Sequence, residues 1–230
     1  MKTFLTIMLI IHIISGTTAL VCGLISMIAK KGAKVHNISG IIFFWAMTGV
    51  FVTATSIGWI KSLWFLFFVG FFSYYLACSG YRSLYLKKLH MGQKAQLLDW
   101  FITFCGLSFG LGLIAMAIYI KLHGASIGSS LVPTLFGALS IFFSIKDIQR
   151  FYKRPTEKTH WIVSHGSKMG GAFIATVTAF TVVNVRVGQW GWTLWILPTV
   201  IITPILTRMI KKFIGGKKKP TGFSDVRVVL

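Results

Sequence analysis

Long apolar stretches recur along this chain, separated by short segments in which lysine and arginine collect. That alternation leaves few folds open. A helix needs about 20 mostly apolar residues to cross a bilayer, and the pattern predicts such helices at 4–29, 38–60, 62–86, 97–120, 127–145, 161–185 and 190–210. A soluble domain could not cover this apolar area, since only 12% of residues are charged and 55% are hydrophobic. The expected fold class is therefore an all-α integral membrane protein, a bundle of about seven transmembrane helices solvated by the lipid bilayer. The fifth stretch is the weakest: it is short and opens on Gly128, Ser129 and Ser130, with Pro133 soon after. A re-entrant segment there would change the helix count.

Basic residues fix the threading. Cytoplasmic loops carry the excess of Lys and Arg. The loops after the first, third and fifth stretches and the C-terminal segment hold most of the 24 basic residues, while only Lys2, Lys61, Lys121 and Arg186 fall on the other side. Lys168 lies within a span. The N-terminus is thus expected outside and the C-terminus inside, as in a multi-pass protein of a bacterial inner membrane. Residues 1–214 form the polytopic transmembrane domain and 215–230 a basic cytoplasmic tail. Tryptophans 59, 64, 190 and 192 fit one interfacial belt and Trp100 and Trp161 the other; Trp45 falls mid-span. The first stretch, near 26 residues, exceeds the ~7–15 of a signal-peptide core, so it is expected to stay in the membrane.

The net charge of +20 is topological on this reading, and with no basic soluble module nucleic acid is not an expected partner. Cys22, Cys78 and Cys105 fall in separate apolar runs, which argues against disulfides. With four acidic residues, and without a nucleotide loop or zinc-protease motif, paired-carboxylate and two-metal chemistry are excluded. Nothing here names a reaction, and the protein reads as non-enzymatic or of unknown activity.

Polar residues inside spans are the remaining clues, because they are costly there and often functional. His12-Ile-Ile-Ser15-Gly16 and His36-Asn-Ile-Ser39-Gly40 share a spacing that sets His, Ser and Gly on one helix face. Either the faces pack helices together, or they admit a flat ligand. In the sixth stretch His165 and Lys168 lie one turn apart. Lys168 either snorkels to the interface, pairs with Asp99 (Asp147 being the looser option), or meets an anionic ligand. His36 and His165 share a depth on different helices, which suits the two axial ligands of a b-type haem, with Lys168 or Lys34 near its propionates. His12 enters from the other side without a second histidine at its level. The cysteines, with His36 or His165, offer a soft-metal site, although packing is the plainer role.

At these positions the chain resembles a group of bacterial membrane proteins grouped as a domain of unknown function. The likeness rests on His12-x-x-Ser15-Gly16, on Lys31-Gly32 followed by His36-x-x-x-Gly40, on Ser79-Gly80-Tyr81-Arg82, and on the stretch from Trp161 through Met169 to Asn184. It implies no reaction, but it adds weight to His12, His36 and His165. Three expectations follow: a histidine-bearing polar site binding haem b or a metal; a small transporter or proton-coupled carrier using His165, Lys168 and Asp99; or an assembly factor with a membrane-protein partner or a second copy of itself.

Overall fold

The computed structural model describes residues 2–124 and 126–218; the tail expected at 215–230 lies outside them from residue 219 onward. Seven helices follow one another: α1 (Lys2–Ile28), α2 (Lys34–Ile60), α3 (Trp64–Arg82), α4 (Leu97–Leu122), α5 (Ile127–Tyr152), α6 (His160–Asn184) and α7 (Leu197–Lys218). Short 3-10 segments, Leu89–Met91 and Gly188–Trp195, precede α4 and α7. Among the described residues there is no strand. Seven helices are long and apolar enough to cross a membrane.

Local chemistry sets the helix ends. Gly32, at φ +80°, turns the chain between α1 and α2 in a conformation that a side chain disfavours. At the start of α4, the Gln96 side chain accepts from the Asp99 amide while Asp99 accepts from the Gln96 amide, a reciprocal capping box. Ser126 caps α5 by accepting from the Ser129 amide. The fifth helix is a full 26 residues; Pro133 lies inside its second turn and removes the one helical bond its own amide would have donated.

The helices are apolar outside and polar within. Ile13, Ile14, Trp45 and Phe101 point outward, Trp45 with 65% of its surface exposed. Inside lie Ser39, Thr53, Thr103, Ser140 and Thr178. Their hydroxyls are satisfied locally: Thr103 donates to the Asp99 carbonyl at 2.9 Å and Thr178 to Ile174 at 2.8 Å. The apolar outer faces offer no partner for such groups, and they turn inward.

α1–α2 and α4–α5 form the tightest hairpins, and α3 stands between α2, α4 and α6. Small residues allow the α4–α5 approach. A methyl placed on Gly137 would stand 2.9 Å from the Gly110 carbonyl oxygen, and one on Gly110 would stand 2.8 Å from Ser140 Cβ. Ser140 reaches across to donate to the Gly106 carbonyl at 2.7 Å. α6 also packs on α1, and α7 packs on α6 and on the 3-10 segment before it. Contacts α1–α2, α2–α3, α3–α6 and α6–α1 close a four-helix ring, with α7 outside it against α6.

Several expected boundaries shift. α2 begins at Lys34 rather than 38, α3 ends at Arg82 rather than 86, α5 runs to Tyr152 rather than 145, and α7 covers Leu197–Lys218 rather than 190–210, so that 215–218, assigned to the tail, are helical. The extra turns of α5 carry Asp147 and Arg150, whose charges are covered by neighbouring helices, so the helix continues past the end of its apolar run.

Candidate functional site

Two polar centres lie toward the end of the bundle that carries the basic loops. They differ in one respect: the first is open and the second is filled.

The first is a cavity of about 710 Å³ bounded by α1, α2, α3, α6 and α7. That size falls in the usual range for small-molecule and cofactor sites, roughly 300–1,000 Å³. Phe43, Tyr81, Trp161, Phe173, Ile210 and Phe213 give it apolar and aromatic walls. His36, His165, Lys31 and Lys87 bring nitrogen to it, and none of the described residues lining it is Asp or Glu.

Both histidines are oriented by helix ends. The final carbonyls of a helix lack an amide partner within it. At the end of α1, the Ser26 carbonyl accepts from His36 Nδ1 at 2.9 Å. At the end of α3, the Leu84 amide bonds Tyr81 instead of Gly80, and the Gly80 carbonyl accepts from His165 Nδ1 at 3.0 Å. A carbonyl oxygen can only accept, so Nδ1 carries the proton on both rings. In a neutral imidazole that leaves the lone pair on Nε2. The two ring centres are 6.4 Å apart and their planes cross at 79°. Gly80 permits the approach: a methyl there would stand 3.0 Å from the Met169 amide and 3.1 Å from Lys168 Cβ.

Lys31 is tied to the same place. Its ammonium donates to the Ser26 carbonyl at 2.9 Å and to the Met27 carbonyl at 2.6 Å. Burial lowers its pKa from the ordinary lysine value. Lys87 lies with its ammonium 4.8 Å from the centre of the Trp161 ring, a cation–π contact.

The second centre is an ion-pair cluster joining α3, α4, α5 and α6. Asp147, 1% exposed, accepts from Lys168, from Ser79 Oγ at 2.6 Å and from the Tyr75 hydroxyl at 2.9 Å. Arg150 adds a contact at 3.5 Å. Lys168 also donates to Ser79 Oγ at 2.7 Å. Beside it Arg82 grips Asp99 with two bonds, Nε at 2.7 Å and Nη2 at 3.1 Å. The gap bounded by Ser79, Arg82, Asp99 and Arg150 is too small for a water molecule. Charges buried at this depth hold only when paired and hydrogen-bonded. The cluster meets that condition nearly throughout, Arg150 Nε being a buried exception.

Of the residues singled out in the sequence, His36 and His165 do come together. Lys168 does not join them. It is 2% exposed, so it does not snorkel, and its partner is Asp147 rather than Asp99, because Arg82 already occupies Asp99. Neither Lys168 nor Lys34 lines the cavity; Lys31 and Lys87 take that place. His12 also lies apart, donating from Nδ1 to Thr53 Oγ1 at 2.9 Å, since the Thr53 hydroxyl proton is committed to Gly49 at 2.7 Å. Among the described residues, no three or more His, Cys, Asp or Glu side chains gather as a metal site. Tyr75, which the sequence pattern does not single out, and Ser79, named above only as part of a motif, are the hydroxyls that hold Asp147. A polar residue amid aromatics on α3 is the signal that could have found them.

Comparison with family models, with curated proteins and with solved structures returns no match.

Proposed function

We propose that the cavity between the α1–α2 hairpin and α6–α7 binds haem b, with His36 and His165 as the two axial ligands. The single observation that carries this is the shared state of the two rings: each gives its Nδ1 proton to a helix-terminal carbonyl and keeps the Nε2 lone pair. Metal-binding histidines are held in this way, the far nitrogen bonded to a carbonyl that fixes tautomer and orientation. Spacing supports the same reading. A metal bonded at about 2 Å to a nitrogen of each ring puts the ring centres about 6 Å apart, and they stand at 6.4 Å. Volume and aromatic walls suit a flat apolar body.

A bound haem b would supply one-electron chemistry. His36 and His165 would hold the iron, leaving the group suited to electron transfer rather than ligand activation. The Ser26 and Gly80 carbonyls hold the two histidines in position for it. The bacterial inner membrane is the proposed location, with the N-terminus outside and the basic end in the cytoplasm, following the charge asymmetry of the loops.

The test is an absorption spectrum of the gently purified chain, before and after haem reconstitution. A Soret band with the sharp visible bands of a six-coordinate low-spin haem is expected, lost or converted to a five-coordinate form in His36→Ala and in His165→Ala. Absence of the band after reconstitution, or a band indifferent to both substitutions, overturns the proposal.

A further inference from the structure

The cavity has a polar end, and its polarity is of one sign. Lys31 and Lys87 both line it, and no described acidic side chain does. The other lysine at this depth, Lys168, is committed to Asp147 and Ser79. The two lining lysines are held differently. Lys31 spends two of its three N–H bonds on the Ser26 and Met27 carbonyls, which anchors the ammonium beside His36. Lys87 follows the end of α3 and rests over the face of Trp161, itself part of the cavity wall. Lys31 is half-buried and Lys87 exposed, so water can hydrate both ammonium groups, and an anionic group on the occupant would replace part of that water with a charge-assisted bond.

We infer that the occupant is an amphiphilic dianion: a flat apolar body lying against α6 and α7, with acidic groups received by Lys31 and Lys87. This rests on the haem reading for the body of the ligand but not for its iron. The histidines choose the metal; the lysines choose the acids and set which edge of the molecule faces the basic end of the bundle. One class of ligand satisfies both, a tetrapyrrole with two carboxylates on one edge. Its neutral ester fills the same volume and forfeits the charge pairs.

Metal-free protoporphyrin IX separates the two ideas, because it carries both carboxylates and offers the histidines no iron. The full chain, placed in phosphatidylcholine nanodiscs so that no anionic headgroup competes, is titrated with protoporphyrin IX and with its dimethyl ester, followed by porphyrin fluorescence. The wild type is expected to bind the diacid about tenfold more tightly than the diester, a difference of about 1.4 kcal/mol shared between the two lysines. Lys31→Met with Lys87→Met should bind both alike, while Lys31→Arg with Lys87→Arg keeps the preference. Lys31 also caps α1, so the single change Lys87→Met, which leaves that cap intact, should by itself cut the preference by several-fold. Equal binding of diacid and diester by the wild type overturns the inference, as does a preference that survives in the double Met variant. If the preference is present but haemin gives no histidine-dependent spectrum, the haem assignment fails and the dianion site stands.

Discussion

Lys31 and His36 meet on one atom. The Ser26 carbonyl oxygen accepts from Lys31 Nζ and from His36 Nδ1, each at 2.9 Å. The end of α1, the loop after it and the start of α2 are therefore one hydrogen-bonded unit, and a change to either side chain is felt by the other. Replacing Lys31 with Met should weaken haem retention by a few-fold even where the propionates are esterified, because His36 loses part of its support. Haem transfer to apomyoglobin, timed for ester-loaded wild type and variant, measures that indirect share.

Titration of Lys31 has a definite sign. Burial depresses its pKa below the ordinary 10.5. In the unfolded chain the lysine keeps its proton to higher pH, so between the two values the unfolded state binds more protons and stability rises with pH. Below the folded-state pKa the cost of the buried charge is fully present. Thermal unfolding in detergent, followed from neutral pH toward pH 10.5, should show the wild type gaining on Lys31→Met across that window. A constant difference between the two would count against it.

Removing one member of the Asp147–Lys168 pair should cost far more than removing both. Asp147→Asn leaves a buried ammonium without its counter-charge, an effect of about 3–5 kcal/mol. Asp147→Asn with Lys168→Met removes the charge along with its partner and should recover most of the loss. Denaturant or thermal unfolding of the three proteins checks this. Equal losses in single and double variants would show that the pair contributes through packing alone.

Asp99 serves two masters, the Arg82 guanidinium and the Gln96 amide. Asp99→Asn keeps the shape, surrenders the charge, and should destabilise the bundle by about 1–3 kcal/mol. Its effect should nearly vanish in an Arg82→Gln background. A double-mutant cycle on unfolding midpoints reads the coupling.

The α4–α5 contact has no slack at Gly137. A methyl there meets the Gly110 carbonyl oxygen at 2.9 Å and Ile114 Cδ1 at 2.9 Å. Backbone cannot move aside as a side-chain tip can, so Gly137→Ala should cost about 1–3 kcal/mol. By contrast, Gly16→Ala meets nothing within 4 Å and should be close to neutral. Unfolding midpoints of the two variants should therefore differ clearly.

Much of this was legible from the chain alone, for physical reasons. Hydrophobic length gave seven helices, and depth along them was enough to bring His36 and His165 together. Rotation about the helix axis was not legible. Asp99 and Asp147 lie at similar depth, and only the way α3 sits between α4, α5 and α6 gives the first to Arg82 and the second to Lys168. Hydropathy also ended α5 too soon, since Asp147 and Arg150 read as loop chemistry until neighbouring helices supply their partners. Residues 190–195 fall within the expected last span because they are mostly apolar; their backbone is part of a 3-10 run, which composition does not distinguish.

The way His36 and His165 are anchored has a chemical consequence. Each ring already carries a proton at Nδ1, so the tautomer is settled before any occupant arrives. The pair of bare nitrogens is standing architecture rather than something a ligand must induce, and an electron-pair acceptor entering between them incurs no cost of reorienting either imidazole.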